Sequence, residues 1–477
     1  MRVMYAVLVI TALLSGCAST DWSSDAPTKA NPKTSKAARV NLKNQSVSKV
    51  YAPSDNLWIR IRDGFEMEPM NSPLEIEQVR WLAARPDYVN RSMTRSSRYL
   101  FYIVQEVNAR NMPTEIALLP FVESAFVTNA KSNAKAVGLW QFMPATGKDF
   151  RLTQNVFRDE RRDVVQSTDA ALDYLQRLNN QFGSWELALA AYNWGAGNIT
   201  KAQKRNAAAG LPIDYESLTL PRETRNYVPK LMAYRQIVLD PQAYGIVLPD
   251  LENHPYFVAV DVGNDIDVAL VIKLAEIPAD EFQILNPSFN KPVILSNANQ
   301  QILLPFAHAE IFQDNLKQYS KPLSSWTAVQ VSKTESVDQA AKTLGVDVDT
   351  LREVNGIPRG MRIRAGSTVL IPKTSRRPGD VSTAMAENAS LNLEKPAPPA
   401  PKCPKPAKGT KGAKSSKCAA PSNSKKGDKG ASKGNSSEKN AASQHKSEST
   451  GLAKSAKNGS SPASASSKAS KGVSKSQ

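Results

Sequence analysis

Cysteine and histidine are scarce in this chain of 477 residues, with three of each. Three cysteines are too few for a disulfide framework, and two of them, Cys403 and Cys418, lie near the C-terminus. The histidines lie far apart and are not spaced like metal ligands, so we expect no metal and no other cofactor. Acidic residues are missing from one long stretch as well, because none follows Glu123 until Asp149.

The net charge of +17 is concentrated in one segment. Most of the excess of Lys and Arg lies after residue 374, and the chain before it is close to neutral. This distribution argues against a specific nucleic-acid partner. Residues 374–477 consist mainly of Lys, Ser, Ala, Gly and Pro, so we expect a disordered basic tail. The tail either contacts anionic wall or envelope polymers or stays solvated without a specific partner.

The N-terminus has the features of an export signal. One early Arg precedes an apolar stretch that is too short to cross a bilayer as a helix. Residues 14–17, Leu-Ser-Gly-Cys, resemble a bacterial lipoprotein signal, which predicts a signal peptide over residues 1–16 and lipidation of Cys17. The alternative is an ordinary cleaved signal with an incidental Cys. Ala18 favours an outer-membrane anchor facing the periplasm, and the polar residues 17–54 indicate a flexible tether.

Apolar side chains recur at helical spacing through the next part of the chain. The stretch "STDAALDYLQRLNNQFG" predicts a helix with Ser167 or Thr168 as its N-cap and Gly183 at its end. The stretch "ETRNYVPKLMAYRQIV" has the same spacing from Tyr227 onward. We therefore predict a mainly α-helical domain with functional loops over residues 55–245.

Two later segments each begin and end in strand-like runs with helical patterning between them. Residues 246–310 and 326–373 align on Asn286 and Asn355, and both finish in a short apolar strand followed by Pro. This weak internal repeat predicts two small α+β modules with the plan strand, helix, helix, strand.

Glu123 stands in an apolar run, "ALLPFVESAFV". Burial disfavours the charged form of a carboxyl group, so these neighbours predict a raised pKa, as a proton donor for glycosidic cleavage requires. Most glycosidases pair such an acid with a second carboxylate, and none is close in sequence. Either a distant carboxylate folds into place, or the substrate supplies its own nucleophile and one Glu serves as acid and then as base.

Three successive motifs and one tyrosine resemble the lytic transglycosylases of glycoside hydrolase family 23. The motifs are Glu-Ser-Ala-Phe from Glu123, residues 138–147 (GLWQFMPATG) and residues 191–197 (AYNWGAG), and Tyr227 fits a fourth. The resemblance implies a helical domain like goose-type lysozyme. It also implies that Glu123 protonates the bond between N-acetylmuramic acid and N-acetylglucosamine in peptidoglycan. The same Glu then deprotonates the muramoyl C6 hydroxyl, which closes a 1,6-anhydro ring without water.

The resemblance also assigns substrate-binding roles. Ser124 is expected to orient or hydrogen-bond Glu123, whereas the other expected contacts with the sugar are Gln141, Met143, Tyr192, Asn193 and Tyr227. The alternative for Tyr192 and Tyr227 is that both are core residues whose hydroxyl groups are hydrogen-bonded within the protein.

Residues 326–373 also resemble the lysin motif (LysM), a βααβ module that binds glycans containing N-acetylglucosamine. They depart from it at the first turn, where Thr334-Glu335-Ser336 replaces the usual Gly-Asp-Ser or Gly-Asp-Thr. Residues 246–310 are more degenerate and are either a glycan-binding or a packing module. Two rival functions stay open, a non-catalytic wall-binding protein and a muramidase that uses water.

Overall fold

The structure is a computed structural model that describes residues 56–296, 301–375 and 377–396. The predicted signal peptide, the lipidation site Cys17 and the tether lie outside the described residues, as do Cys403 and Cys418. Within the described ranges no helix is both long and apolar enough to cross a membrane.

Helices joined by loops form the N-terminal part of the structure, which confirms the mainly α-helical fold expected there. The α-helices are α1 Leu57–Asp63, α2 Pro73–Ala83, α3 Pro86–Ser96, α4 Leu100–Ala109, α5 Leu119–Glu123, α6 Pro144–Asp149, α7 Val164–Phe182, α8 Trp185–Trp194, α9 Ala196–Ala208, α10 Arg222–Arg225 and α11 Tyr227–Leu239. Short 3-10 helices, Thr114–Leu118 and Gln242–Tyr244, precede α5 and follow α11.

The longest of these helices, α7, begins earlier than the sequence pattern indicated. Its N-cap is Asp163, whose carboxylate accepts the backbone N–H groups of Val165 and Gln166. Ser167 and Thr168, predicted as caps, are instead buried inside the helix. The predicted end is confirmed, because Gly183 takes a left-handed conformation with φ of 69°.

Helix α11 lies at the centre of the helical domain. Most of its residues are buried, and it packs against α2, α5 and α8. Its apolar residues are spread around most of the helix, as is typical of a largely buried helix. Because Glu123 ends α5, Tyr192 lies in α8 and Tyr227 begins α11, this packing brings the predicted catalytic region together.

The two modules that follow have the predicted α+β composition. Their strands are β1 Phe257–Asp261, β2 Ile266–Asp267, β3 Val293–Ile294, β4 Gln301–Pro305, β5 Trp326–Gln330, β6 Glu335–Ser336, β7 Arg362–Ile363, β8 Thr368–Pro372 and β9 Leu393–Glu394, and their helices are α12 Val268–Ala275, α13 Ala279–Leu285, α14 Phe306–Gln318, α15 Val337–Leu344, α16 Val348–Asn355 and α17 Thr383–Asn388. In each module the outer strands pair antiparallel, β1 with β4 and β5 with β8.

The internal repeat is confirmed at its two asparagines. Asn286 exchanges hydrogen bonds with the backbone of Leu303, at 2.8 Å in each direction. Asn355 does the same with Leu370, at 2.8 and 2.7 Å. In both modules a buried amide thus ties the end of the second helix to the last strand.

The prediction of disorder from residue 374 is wrong for residues 377–396. Here α17 forms, and β9 pairs antiparallel with β7. Val381, Ala386 and Ala389 are buried in an apolar cluster. Composition suggested too little apolar surface, but an existing strand edge and cluster provide partners that the segment alone lacks. The remainder of the predicted tail, residues 397–477, lies outside the described residues.

Candidate active site

Glu123 is the last residue of α5, a five-residue helix made of apolar residues apart from this carboxylate. Leu119, Pro120 and Phe121 are buried, so the short helix is fixed in the core and carries Glu123 at its end. The residue itself is partly accessible, as a group that meets a substrate must be.

The carboxyl group of Glu123 accepts a hydrogen bond from the hydroxyl of Tyr227. Burial raises the pKa of Glu123 to about 7, against a smaller lowering by this hydrogen bond. The charge of Glu223 raises the pKa further and that of Lys230 lowers it. The raised pKa expected from the apolar flanks is therefore present, and Glu123 exists in both protonation states near neutral pH.

Tyr192 and Tyr227 both lie within the electrostatic influence of Glu123. Burial raises the pKa of each phenol well above its ordinary value, and the charge of Glu123 raises it further. Both phenols therefore stay protonated and act as hydrogen-bond donors. Tyr227 donates to Glu123, and Tyr192 donates to the carbonyl of Trp140 at 2.8 Å.

Asn193 follows Tyr192 on α8 and is fixed by its side-chain oxygen. That oxygen accepts a hydrogen bond of 2.8 Å from the hydroxyl of Thr224, a buried residue of α10. Among the described residues no acceptor pairs with the NH2 group of Asn193. The hydrogen bond to its oxygen thus orients the Asn193 amide, and its NH2 group can donate to a ligand.

Residues 131–142 form a hairpin beside this site. Val137 and Phe142 exchange backbone hydrogen bonds of 3.2 and 3.1 Å. Gly138 has φ of +86°, and a Cβ built on it would lie 2.1 Å from the carbonyl oxygen of Arg161, so only glycine fits. This close approach explains the glycine that opens the second motif.

Gln141 and Met143 are both predicted to line the site; Gln141 lies in this hairpin, and Met143 follows it as the N-cap of α6. Gln141 has φ of 47°, and its NH2 group donates to the carbonyl of Gly138 at 2.8 Å. The amide therefore stabilises the loop. Met143 is 42% exposed, so its side chain is accessible to a ligand.

Of the two roles expected for Ser124, orienting Glu123 or hydrogen-bonding it, the hydrogen bond is not formed. Its hydroxyl donates to the carbonyl of Leu139 at 3.0 Å, with a longer contact of 3.3 Å to that of Pro120. Ser124 thus joins the end of α5 to the hairpin. The sequence held no sign of this because the acceptor is a backbone carbonyl whose position depends on the fold.

A second buried carboxylate near Glu123 in sequence has a structural role. Glu115 is fully buried, pairs with Arg235 at 3.0 Å, and accepts the backbone N–H groups of Glu66 and Met67. The carboxylate that acts on the pKa of Glu123, Glu223, is exposed. No group of residues that could hold a metal ion occurs in the described ranges. The site therefore has one buried acid with hydroxyl and amide donors near it.

Sequence reasoning missed two residues that support the site. Arg95 donates from Nε to the carbonyl of Ala125 at 2.8 Å, and Thr224 orients Asn193. Trp140 of the second motif is fully buried, and its indole N–H donates to the hydroxyl of Thr168 at 3.0 Å, so this motif residue belongs to the core. The sequence marks Arg95 only as an arginine in an amphipathic helix. Such arginines are too common to indicate a residue that supports an active site.

Comparison with known proteins finds relatives for both parts of the chain. The family described as "Transglycosylase SLT domain" matches residues 102–211, and "Lytic transglycosylase MltD, LysM-like domain" matches residues 256–321. The membrane-bound lytic murein transglycosylase D of Escherichia coli K12 is 32% identical over 383 residues, which are 77% of this chain and 84% of the relative.

Two solved structures are similar to part of the chain. The 70 kDa soluble lytic transglycosylase of Escherichia coli is 22% identical over 35% of this chain and 31% of that one, with a TM-score of 0.25. The lytic transglycosylase Slt of Pseudomonas aeruginosa is 28% identical over 30% of this chain and 24% of that one, with a TM-score of 0.24.

Proposed function

Since this chain belongs to the lytic murein transglycosylases, in the family of membrane-bound transglycosylase D, we propose that Glu123 is the single acid and base of its reaction. The enzyme cleaves peptidoglycan between N-acetylmuramic acid and N-acetylglucosamine. The observation that carries the proposal is one buried carboxyl group with a pKa of about 7 at the family's first motif.

In the first step, the protonated carboxyl of Glu123 gives its proton to the glycosidic oxygen. The bond from that oxygen to C1 of the muramoyl residue breaks, and N-acetylglucosamine leaves as an alcohol. The substrate's acetamido group stabilises the positive charge that develops at C1. A pKa near the operating pH suits this acid, because the group is protonated in a large fraction of molecules and still gives up its proton readily.

In the second step, the carboxylate of Glu123 takes the proton of the muramoyl C6 hydroxyl. The C6 oxygen attacks C1 and closes the 1,6-anhydro ring, which returns Glu123 to its protonated form. No water enters the product. Tyr227 stabilises the carboxylate between the two steps, because its hydroxyl donates to the charged form.

The neighbouring polar groups supply the sugar contacts. The NH2 group of Asn193 can donate to the acetamido oxygen, and Tyr192 lies close enough to Glu123 to feel its charge and contacts the acetamido group or Glu123. Met143 offers an exposed apolar surface for a sugar face, and the Gln141 loop carries it. Ser124 contributes by holding α5 to the hairpin.

The N-terminal sequence supports a proposal for where the enzyme is anchored. We propose that Cys17 is lipidated and anchors the protein at the outer membrane, with the catalytic domain facing the periplasm. Multiple acyl chains hold a protein much more firmly than one. We propose that the module of residues 326–373 binds the glycan strands of peptidoglycan and that the basic tail contacts anionic wall or envelope polymers. The module of residues 246–310, which overlaps the match to the LysM-like family, is either a second glycan-binding module or a packing module.

Product analysis on purified sacculi tests the catalytic assignment. Wild type is expected to release muropeptides with 1,6-anhydro ends, each one water lighter by mass spectrometry than the product of a muramidase. Glu123→Gln should release almost none while still co-sedimenting with sacculi. Glu216→Gln, which changes an exposed carboxylate, is the matched control and should match wild type.

Two results contradict the proposal. Reducing ends in place of anhydro ends indicate a muramidase, and equal lysis by wild type and Glu123→Gln indicates a wall-binding protein without this catalytic residue.

A further inference from the structure

Two consecutive residues after Glu123 have left-handed backbones. Ala125 has φ of 50° and Phe126 has φ of 58°, although both carry a Cβ. Each such residue costs about 1–3 kcal/mol and persists only where its surroundings hold it. The direction in which α5 presents the carboxyl of Glu123 therefore depends on contacts that stabilise this turn.

Contacts from two elements hold the turn in place. Within it, the backbone N–H of Phe126 donates to the carbonyl of Pro120 at 3.2 Å, and the buried Phe126 ring packs edge-on against Phe121, 4.5 Å between centroids. From α3, Nε of Arg95 donates to the carbonyl of Ala125 at 2.8 Å. This carbonyl belongs to the peptide unit that joins the two left-handed residues, so the charged donor acts within the strained turn.

We infer that Arg95 is a positioning residue for Glu123, because its guanidinium fixes the Ala125 carbonyl and with it the turn that directs the carboxyl toward Tyr227. The inference rests on the proposed role of Glu123 as acid and base. Arg95 itself touches neither Glu123 nor a reacting atom. The groups whose charges act on Glu123 are Glu223 and Lys230, so the influence of Arg95 is geometric.

The Arg95 side chain lies against open space. It lines a cavity of about 250 Å³ between the catalytic domain and α13. Other residues lining the cavity are Arg98, Thr128, Asn129, Asp280 and Gln283. Asn129, Asp280 and Gln283 are exposed, so solutes can enter. A truncated residue 95 would leave room there for a guanidinium ion.

The central experiment compares Arg95→Ala with wild type on soluble glycan strands, following kcat, KM and pH dependence. Misplacement of an acid by about 1 Å costs up to 100-fold in rate, so we expect kcat to fall by about 10- to 100-fold with KM little changed. A loosened turn admits water to the carboxyl of Glu123 and lowers its pKa. The loss of activity at high pH should therefore begin at a lower pH than in wild type. Arg91→Ala, an exposed residue one turn earlier on α3, is the control and should match wild type.

Two rescue measurements separate positioning from loss of folding. Guanidinium chloride at millimolar concentration should restore part of kcat in Arg95→Ala, whereas sodium chloride at equal ionic strength should not. Adding Ala125→Gly should also restore part, since glycine adopts the left-handed conformation without the Cβ penalty. The melting temperature of each variant, followed by circular dichroism, should remain well above the assay temperature.

The inference is overturned if Arg95→Ala keeps the wild-type kcat. It is also overturned if the loss of activity equals the fraction of unfolded protein and neither guanidinium nor Ala125→Gly restores kcat. Glu123→Gln, assayed in parallel, keeps the two claims apart. If Glu123→Gln is inactive and Arg95→Ala is normal, only the positioning role fails. If Glu123→Gln is fully active, the proposed function fails first.

Discussion

Two opposing influences set the protonation of Glu123 at the scale of single residues. Burial raises its pKa, and the hydrogen bond from Tyr227 lowers it, leaving a value of about 7. A group with this value can give a proton in one step and take one in the next. Because the first step needs the protonated carboxyl, activity should decline as pH rises above this pKa.

Tyr227→Phe tests this balance. Removing a donor that stabilises the carboxylate raises the pKa of Glu123, so the decline of activity should begin at higher pH than in wild type. At lower pH kcat should still fall, since the carboxyl loses the contact that orients it. The pH dependence of anhydromuropeptide release measures both effects. A decline that moves to lower pH contradicts this account.

Glu123→Gln has a consequence for stability as well. The pKa of Glu123 is about 7 in the folded state and about 4.5 in the unfolded state, so the unfolded state ionises at lower pH. The free energy of unfolding of wild type therefore falls as pH rises from about 4.5 to 7. An amide carries no such cost. The variant should therefore be more stable than wild type at pH 8, by up to about 3 kcal/mol, and nearly equal at pH 4. Urea unfolding at both pH values measures this, and an equal difference at both contradicts it.

What the sequence revealed about single residues depended on the kind of contact. The raised pKa of Glu123 followed from its apolar neighbours, and its contact with Tyr227 agrees with a resemblance at four motifs. The hydrogen bond to Glu123, one of the two roles expected for Ser124, is not formed because the hydroxyl donates to the Leu139 carbonyl. Arg95 was missed for the same reason, since nothing in a sequence marks which backbone carbonyl a side chain will reach.

At the scale of elements, the hairpin of residues 131–142 is tied to the site by hydrogen bonds from Ser124 and Tyr192. Its shape depends on the close approach of Gly138 to the carbonyl of Arg161. The side chain of Arg161 also donates to the carbonyls of Lys135 and Phe142, at 3.0 and 3.3 Å. Arg161 therefore holds the hairpin, which contains Gln141 and leads into Met143.

Gly138→Ala is expected to disrupt this hairpin. The added Cβ meets the Arg161 carbonyl at 2.1 Å in a left-handed backbone, so the loop must move. We expect activity to fall at least about tenfold, with a stability loss of about 1–3 kcal/mol. Gly263→Ala, an exposed position outside the motifs where a Cβ meets nothing within 4 Å, is the control and should change little. Kinetics and thermal unfolding measure both, and a normal Gly138→Ala enzyme contradicts this reading of the hairpin.

Element boundaries were partly predictable. The end of α7 at Gly183 followed from sequence, because glycine has a specific advantage at a left-handed position. Its start did not, since Ser167, Thr168 and Asp163 are all acceptable caps and tertiary packing decided between them. The paired asparagines of the repeat were recognisable, but their shared hydrogen bonds to the last strand became visible only in the fold.

At the scale of the whole molecule, the first LysM-like module packs directly on the catalytic domain. The guanidinium of Arg98 pairs with Glu281 of α13 at 2.8 Å. Nearby, the carbonyl of Ile284 accepts hydrogen bonds from Tyr99 at 3.0 Å and Thr128 at 3.3 Å. The sequence predicted the modules but not this contact, because it depends on residues about 180 positions apart.

A double-mutant cycle on Arg98 and Glu281 measures that contact. The pair is partly buried and joined by several hydrogen bonds, so Arg98→Met and Glu281→Gln should show a coupling free energy of about 1–3 kcal/mol in urea unfolding. The exposed pair Lys317 and Asp314 is the control and should show less than about 0.5 kcal/mol. Equal coupling in both pairs contradicts a specific docking of the module.

The measurement that tests the central claim most directly is digestion of sacculi in water enriched with oxygen-18. If Glu123 uses the muramoyl C6 hydroxyl as nucleophile, the anhydro products released by wild type should contain none of the heavy isotope, and Glu123→Gln should release no such products. Incorporation of one heavy oxygen at each newly formed end would contradict the account, because water would then be the nucleophile.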